Sequence, residues 1–331
     1  MDSEISIGLG APVAGAWATP GNLAGFAQRA EELGYQSLWT FQRLLFPAGS
    51  DMAPVYRSVL DPMVALGYVS AVTSTIRLGV AVVNHPFLSP LLMAKQAATV
   101  DVLSDGRLDL GLGIGWLKEE FTGSGAVMSR RGARMIEYVA ALRALWSGPA
   151  AGPGPAGKPA EPGPAGKPPE TTAPAVFQGE YYEIPAGRQD PAPVQRPGPP
   201  VIVGGMSRPA MERAGRIADG WVTASAANLS KIGPSVALVQ QAAAACGRGP
   251  LRIICRGVVR AGEPVTSPRT GERMLLSGSF EQIQADVAWL AAQGVTEVFY
   301  DLNWDPEIGG PDADPVRAAD RAAFLAEALR P

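Results

Sequence analysis

His85 is the only imidazole in the sequence, and Pro86 behind it biases its backbone towards an extended conformation. One imidazole can donate or accept a proton near neutrality, or it can be packed and hydrogen-bonded with no chemical duty. Both roles stay open from the sequence. A lone histidine does exclude a multi-histidine metal site and a Cys/His zinc cluster. A hydrolase triad built on Ser225 would have to recruit that same ring, so nucleophilic relay chemistry is unsupported. The second signal is Val201-Ile202-Val203-Gly204-Gly205-Met206-Ser207, an apolar run, two glycines and a polar turn opening a helical pattern. Glycines let backbone approach a ligand, and the free N–H groups of a helix start attract phosphate. The same spacing fits an ordinary tight turn. A third run, Gly111-Leu112-Gly113-Ile114-Gly115-Trp116, lacks the Lys-Ser/Thr of a P-loop. It also has Trp116 where a dinucleotide motif needs its last glycine, and is either a ligand-facing or a crowded strand end. Arg43 and Arg57 could each grip an anion bidentately, and Gln42 stands beside Arg43.

These residues need a scaffold that brings them together. Short apolar runs at 5–9, 37–41, 77–83, 107–112, 200–203, 220–223, 253–259 and 297–301 read as strands. Helical patterns follow at about 20–34, 60–73, 89–103, 128–147, 207–218, 229–246, 279–293 and 315–329. Eight alternating units predict a closed (β/α)8 barrel in a single domain, 1–331, with the active site at the C-terminal ends of the strands. Thr19-Pro20, Asp61-Pro62, Ser89-Pro90 and Asp314-Pro315 each put a capping oxygen before a proline at the first helical position. Ser279 with Gln282 reads as a capping box, and Gly34 and Gly294 as helix stops. Two insertions break the rhythm. Segment 148–175, after strand four, is dense in Pro, Gly and Ala, carries a direct nine-residue repeat and reads as a mobile linker. Segment 176–196 reads as a strand excursion, and 260–278 as a polar insertion after strand seven.

Composition bounds the function. The net charge of −3 argues against nucleic acid as a partner. The apolar run 78–94 is broken by Asn84, His85, Pro86, Ser89 and Pro90, which argues against a membrane span. An acidic start, Met1-Asp2-Ser3-Glu4, lacks the positive charge of a secretory leader. Cys246 and Cys255 read as two buried thiols in a reducing compartment, so the expected location is the cytoplasm.

Four stretches carry a family resemblance: Ala30-Glu-Glu-Leu-Gly-Tyr-Gln-Ser-Leu-Trp39, Ile76-Arg-Leu-Gly-Val-Ala-Val82, Leu103 through Trp116, and Val203-Gly-Gly-Met-Ser207 continuing to Ala218-Asp-Gly-Trp221. The sequence resembles the bacterial luciferase-like flavin and deazaflavin oxidoreductases, especially their coenzyme F420-dependent members. The resemblance implies a barrel that packs a flavin-like ring on a bulge at Ala81-Val82, often with a non-proline cis peptide. It implies a phosphate held by Gly204, Gly205, Met206 and Ser207, with Gly113, Gly115 and Trp116 beside the cofactor. Substrate contacts fall to Gln42, Arg43 and Arg57. Many members carry an acidic residue and a histidine where Gln42-Arg43 stand here, which turns attention to His85 as the catalytic imidazole. Luciferases have a basic residue on the FMN phosphate at the place of Ile114. The expected function is F420-dependent hydride transfer to or from a small organic substrate. The alternatives are an FMN-dependent monooxygenase using oxygen and a non-catalytic cofactor-binding protein. Expected partners are a small-molecule substrate and at most a second copy of the chain in a homodimer.

Overall fold

The computed structural model describes residues 5–147, 158–159, 174–267 and 271–331. Apart from 158–159 and 174–175, the Pro/Gly/Ala-rich segment read as a linker lies outside the described residues. Eight strands form the barrel: β1 Ser6–Gly10, β2 Ser37–Thr40, β3 Arg77–Val80, β4 Leu108–Gly113, β5 Val201–Gly204, β6 Gly220–Val222, β7 Arg252–Gly257 and β8 Glu297–Tyr300. Each pairs in parallel with the next, and β8 pairs back with β1, which closes the sheet. The (β/α)8 architecture read from the alternation is the one the chain adopts.

Outside the barrel run α1 Pro20–Glu32, α2 Pro62–Ser70, α3 Pro90–Leu103, α4 Lys118–Ser124, α5 Arg131–Ser147, α6 Arg208–Ile217, α7 Ile232–Ala244, α8 Phe280–Ala292 and α9 Pro315–Ala328. Their starts follow from local chemistry. Thr19, Asp61, Ser89, Ser207 and Asp314 each accept from a first-turn N–H, and Ser279 with Gln282 forms the reciprocal box. Such a cap contributes about 1 kcal/mol. No helix of the described residues is long and apolar enough to cross a membrane.

Several boundaries differ from the pattern-based reading. The single helix expected over 128–147 begins at Arg131, because Arg130 sits at φ 55°, and α4 precedes it. The strand expected over 77–83 stops at Val80; Val83–Asn84 resumes as a short separate strand beside β4. The excursion before β5 is an antiparallel hairpin, Ala175–Gln178 with Glu183–Gly187. Cys246 is exposed rather than buried, just beyond α7, whereas Cys255 on β7 is buried, which pushes its thiol up to about 12.

Side chains alternate along each strand. Leu9, Leu38, Leu78, Leu110, Val203, Ile253 and Val298 face the helices and are fully buried. The opposite parity fills the barrel. Trp39 stacks on Phe299 (centroids 5.3 Å apart, 18° between planes), joined by Ile202, Val222 and Ile254. Gly79 makes room for the indole, since a Cβ there would fall 2.3 Å from it. Below this layer, at the N-terminal end, a charge network links the strands. Asp109 takes both Arg77 (2.7 and 2.9 Å) and Arg252 (2.8 and 3.1 Å). Glu297 takes Arg252 (2.8 Å), Ser37 (2.5 Å) and the Trp39 indole N–H (2.8 Å). Burial alone would raise the Asp109 carboxyl, but the two guanidiniums hold it down at about 2. A cavity of about 810 Å³ opens at this end, lined in part by Arg77, Asp219, Arg248 and Arg252.

Candidate active site

The opposite, C-terminal end is organised around the segment that interrupts β3. The peptide between Ala81 and Val82, where the resemblance implies a cis bond, is cis. Glycines on β4 and β5 receive it. A Cβ on Gly111 would lie 1.8 Å from the Val80 carbonyl oxygen; one on Gly113, 2.5 Å from a Val82 methyl; one on Gly204, 3.0 Å from the other Val82 methyl. The glycine alternation at 111–113 is therefore filled by the chain's own backbone and side chains.

Two polar brackets hold the segment. On one side, the Asn84 N–H donates to Gln42 Oε1 (2.9 Å), and Asn84 Oδ1 accepts from the Gly115 N–H (2.9 Å). Gly115 sits at φ +69°, which glycine alone adopts without cost, and its carbonyl accepts from Arg131 (2.5 Å). On the other side, Arg256 donates to the Ala81 carbonyl (3.3 Å) and pairs with Asp301 at 2.5 and 2.7 Å. Its guanidinium also lies 4.6 Å from the Phe41 ring centroid. Asn303 continues this bracket, donating to Asp301 (2.9 Å) and accepting from the Trp17 indole (3.2 Å).

Above the segment, Arg43 lies between the Tyr56 and Trp116 rings (4.8 and 5.0 Å) and pairs with Glu120 at 3.0 Å. Both members of the pair are buried, while Trp116 is 58% exposed on the rim. The Glu120 carboxylate also accepts from the Leu44 N–H (2.8 Å), which ties the loop after β2 to α4. Arg57 is exposed, with its guanidinium 6.0 Å from the Phe46 ring centroid.

The turn Gly204-Gly205-Met206-Ser207 leads from β5 into α6. Gly205 has φ +131°, and a Cβ there would fall 2.8 Å from Ala210. The Gly205 carbonyl accepts from the Trp221 indole N–H (2.8 Å), while Met206 is half-buried and Ser207 exposed at the cap. His85 is elsewhere. Its ring is fully buried against Tyr138 of α5 (5.0 Å), with Nε2 3.2 Å from the Arg131 carbonyl and Nδ1 without a partner. Burial first, then the charges of Arg213, Arg134 and Arg131, outweigh that carbonyl contact and hold the imidazole down at about 4.

Thus Gln42, Arg43, Ala81, Val82, Gly113, Gly115 and Trp116 meet at the mouth, and Gly204 carries the contact on to the phosphate turn. Arg57 and His85 stand apart. The pattern-based reading missed Arg256, Asp301, Glu120 and Arg213. Arg256 and Asp301 had a signal: each is a charge two residues beyond a barrel-facing Ile254 or Phe299, in an otherwise apolar run. Glu120 and Arg213 had none, because charged residues on helices are ordinarily solvated. Together the mouth presents an apolar ledge, a guanidinium–carboxylate floor and a helix N-terminus to one side. That combination suits a flat ring with an anionic tail.

Comparison with known proteins adds to this geometry. The sequence profile described as "Luciferase-like monooxygenase" matches residues 4–266. An uncharacterized protein of Mycobacterium tuberculosis (strain ATCC 25618 / H37Rv) is 32% identical over 275 residues, covering 83% of this chain and 76% of that protein. An FMNH2-dependent dimethylsulfone monooxygenase of Pseudomonas putida is 28% identical over 200 residues, covering 60% of this chain and 47% of that enzyme. Among solved structures, the monooxygenase RslO1 from Streptomyces bottropensis superimposes with a TM-score of 0.73 at 21% identity, covering 98% of both chains. The coenzyme F420 dependent tetrahydromethanopterin reductase from Methanopyrus kandleri gives a TM-score of 0.71 at 17% identity, covering 98% of this chain and 97% of that one. These two structural likenesses establish a shared fold.

Proposed function

Because the chain belongs to the luciferase-like monooxygenase family, we propose that it is a coenzyme F420-dependent oxidoreductase that acts on a small organic substrate at the C-terminal mouth. The observation that carries this reading is the contact between the two poles of the site. The Val82 methyl that abuts Gly204 joins the apolar ledge to the phosphate-type turn on one rim. A ring lying on Ala81–Val82 would then reach the N-terminus of α6 with its anionic tail.

The residues fit such a group. Gly204 and Gly205 let the turn pack closely against Val82 and Ala210, where side chains would collide, and Ser207 caps α6 through the Ala210 N–H, so a phosphate would meet the backbone N–H groups at the start of the turn. When bound, a deazaflavin supplies hydride exchange with a substrate carbon, and the protein supplies orientation and electrostatics. Arg256 fixes the ledge through the Ala81 carbonyl and is itself fixed by Asp301. Arg43 and Trp116 wall the substrate side and exclude water from it. His85, enclosed against Tyr138 and the Arg131 carbonyl, is assigned a packing role.

Ile114 favours the deazaflavin over FMN. It is apolar and packs against the core, at the position where luciferases carry a basic contact to FMN phosphate. The alternative, an FMN-dependent monooxygenase, draws its support from the similarity to the FMNH2-dependent enzyme of Pseudomonas putida. Parallel titration of the purified protein with F420 and FMN separates the two. Tighter F420 binding by at least tenfold, with no substrate-dependent oxygen uptake, is expected. Preferential FMN binding with oxygen uptake would overturn the assignment.

A further inference from the structure

A separate cavity opens on the C-terminal rim, across from the turn at Gly204–Ser207. In a closed ring of eight strands the one opposite β5 is β1, and the loops after its neighbours β2 and β8 stand together there. With Arg260, just beyond β7, they enclose about 520 Å³, walled mainly by Pro54, Val55, Trp304, Pro306 and Pro311. That volume suits a small organic molecule. The walls are fixed without a ligand. Tyr56 meets the Trp304 ring edge-on at 5.4 Å. A Cβ on Gly309 would lie 1.8 Å from the Asn303 carbonyl oxygen, and one on Gly310 2.3 Å from that of Pro306, so the loop after β8 is folded tightly on itself. Arg321 of α9 braces it by pairing with Asp305 at 2.8 and 2.9 Å.

Among the described residues, Arg260 is the one cation on these walls. It is half-buried, and its side chain donates only from Nη1 to the neighbouring Val259 carbonyl (3.1 Å). The two carboxylates that act on it, Asp305 and Asp301, are already paired with Arg321 and Arg256. Asp312 also lines the cavity but is exposed to water. Burial lowers the basicity of Arg260 by more than those two carboxylates restore. Its backbone is anchored: Arg260 and Ala261 pair with Ser277 and Gly278, and the Arg260 N–H donates to the Leu276 carbonyl (3.0 Å). The insertion after β7 thus sets one guanidinium, with donors to spare, on a mainly apolar cavity, a setting that favours an anion. A polar relay links the cavity to the ledge. Asn303 lines it and donates to Asp301, whose partner Arg256 holds the Ala81 carbonyl.

We propose that this cavity is the substrate subsite and that Arg260 selects a carboxylic acid. The apolar body of the substrate sits among the prolines and Trp304, with its carboxylate on the guanidinium. The assignment deepens the reading of the mouth given above and rests on it. A carboxylate suits the cavity better than a phosphate dianion, because one cation is present and Asp301 and Asp305 oppose further negative charge. Cofactor tail and substrate then enter from opposite rims and meet over Ala81–Val82.

The test compares 4-phenylbutanoate with its uncharged amide, by calorimetry on the cofactor-free protein. The wild type should bind the acid about tenfold more tightly than the amide. Arg260→Met should abolish that preference, bringing the two within about twofold while the amide binds as before. Ala313→Phe, which fills the cavity from its wall, should weaken both members about fivefold or more. Equal binding of acid and amide to the wild type, binding of neither, a preference that survives Arg260→Met, or indifference to Ala313→Phe would each overturn the proposal. Failure of the cofactor reading shows separately, as absence of F420 binding in the parallel titration, and leaves the acid preference of the cavity standing. Should Arg260→Met fail to fold, Arg260→Gln carries the same comparison.

Discussion

The two ends of this barrel treat buried charge in opposite ways. At the N-terminal end, Arg77, Asp109, Arg252, Glu297 and Ser37 satisfy one another across five strands. At the C-terminal side, Arg43 Nε, Glu120 Oε2, His85 Nδ1, Trp304 Nε1 and two nitrogens of Arg213 are buried without a hydrogen-bond partner among the described residues, against Arg248 Nε beside the N-terminal cavity. The N-terminal groups all stand on strands, whereas the unpartnered C-terminal groups stand on the loops and helices that follow them. The N-terminal network completes itself during folding and can serve stability. The C-terminal end keeps bonding capacity in reserve, and this is the end at which barrels of this class place their chemistry. A buried polar group left incomplete by the protein is worth reading as half of an interaction with something else.

Charge removal should therefore have opposite signs at the two ends. The largest effect is expected for Arg252→Met. It strips one partner from Asp109 and one from Glu297, leaving buried carboxylates under-compensated, and should cost about 3–5 kcal/mol in denaturant unfolding. A loss below about 1 kcal/mol would remove the N-terminal network from the account of stability.

The pH dependence comes next. His85 is held down at about 4, whereas an unfolded histidine titrates near 6.5. Between those values the unfolded chain binds the extra proton, so stability is fully present above about pH 6.5 and falls as pH drops towards 4. The expected loss is on the order of 3 kcal/mol. His85→Gln should flatten that part of the melting-temperature profile, and an unchanged slope would show the ring to be open to solvent. Smallest is Arg213→Met in the ligand-free protein. Removing an uncompensated buried charge should leave stability unchanged or raise it by about 1 kcal/mol. A clear destabilisation would mean that Arg213 is already paired, and the contrast between the ends would weaken.

Much of this could be read along the chain. Thr19, Asp61, Ser89, Ser207, Ser279 and Asp314 mark helix starts because a cap oxygen and the N–H that donates to it lie within three residues of each other. The turn at Gly204–Ser207 announced itself for the same reason. His85 illustrates the limit. Its place just after the third strand is a matter of sequence, but Tyr138 and the Arg131 carbonyl draw its ring towards α5 from 53 and 46 residues away.

Periodicity, caps and punctuation therefore determined the eight units, their order and the closed barrel, because each depends on neighbours a few residues apart. Tertiary structure alone decided which charges meet. Arg256 finds Asp301 across 45 residues, and Arg252 finds Asp109 across 143. Arg213 comes to lie over Gly132, 81 residues away, and within reach of His85. Whether a buried charge is paired depends on which strands and helices become neighbours when the sheet closes, and local sequence does not carry that information.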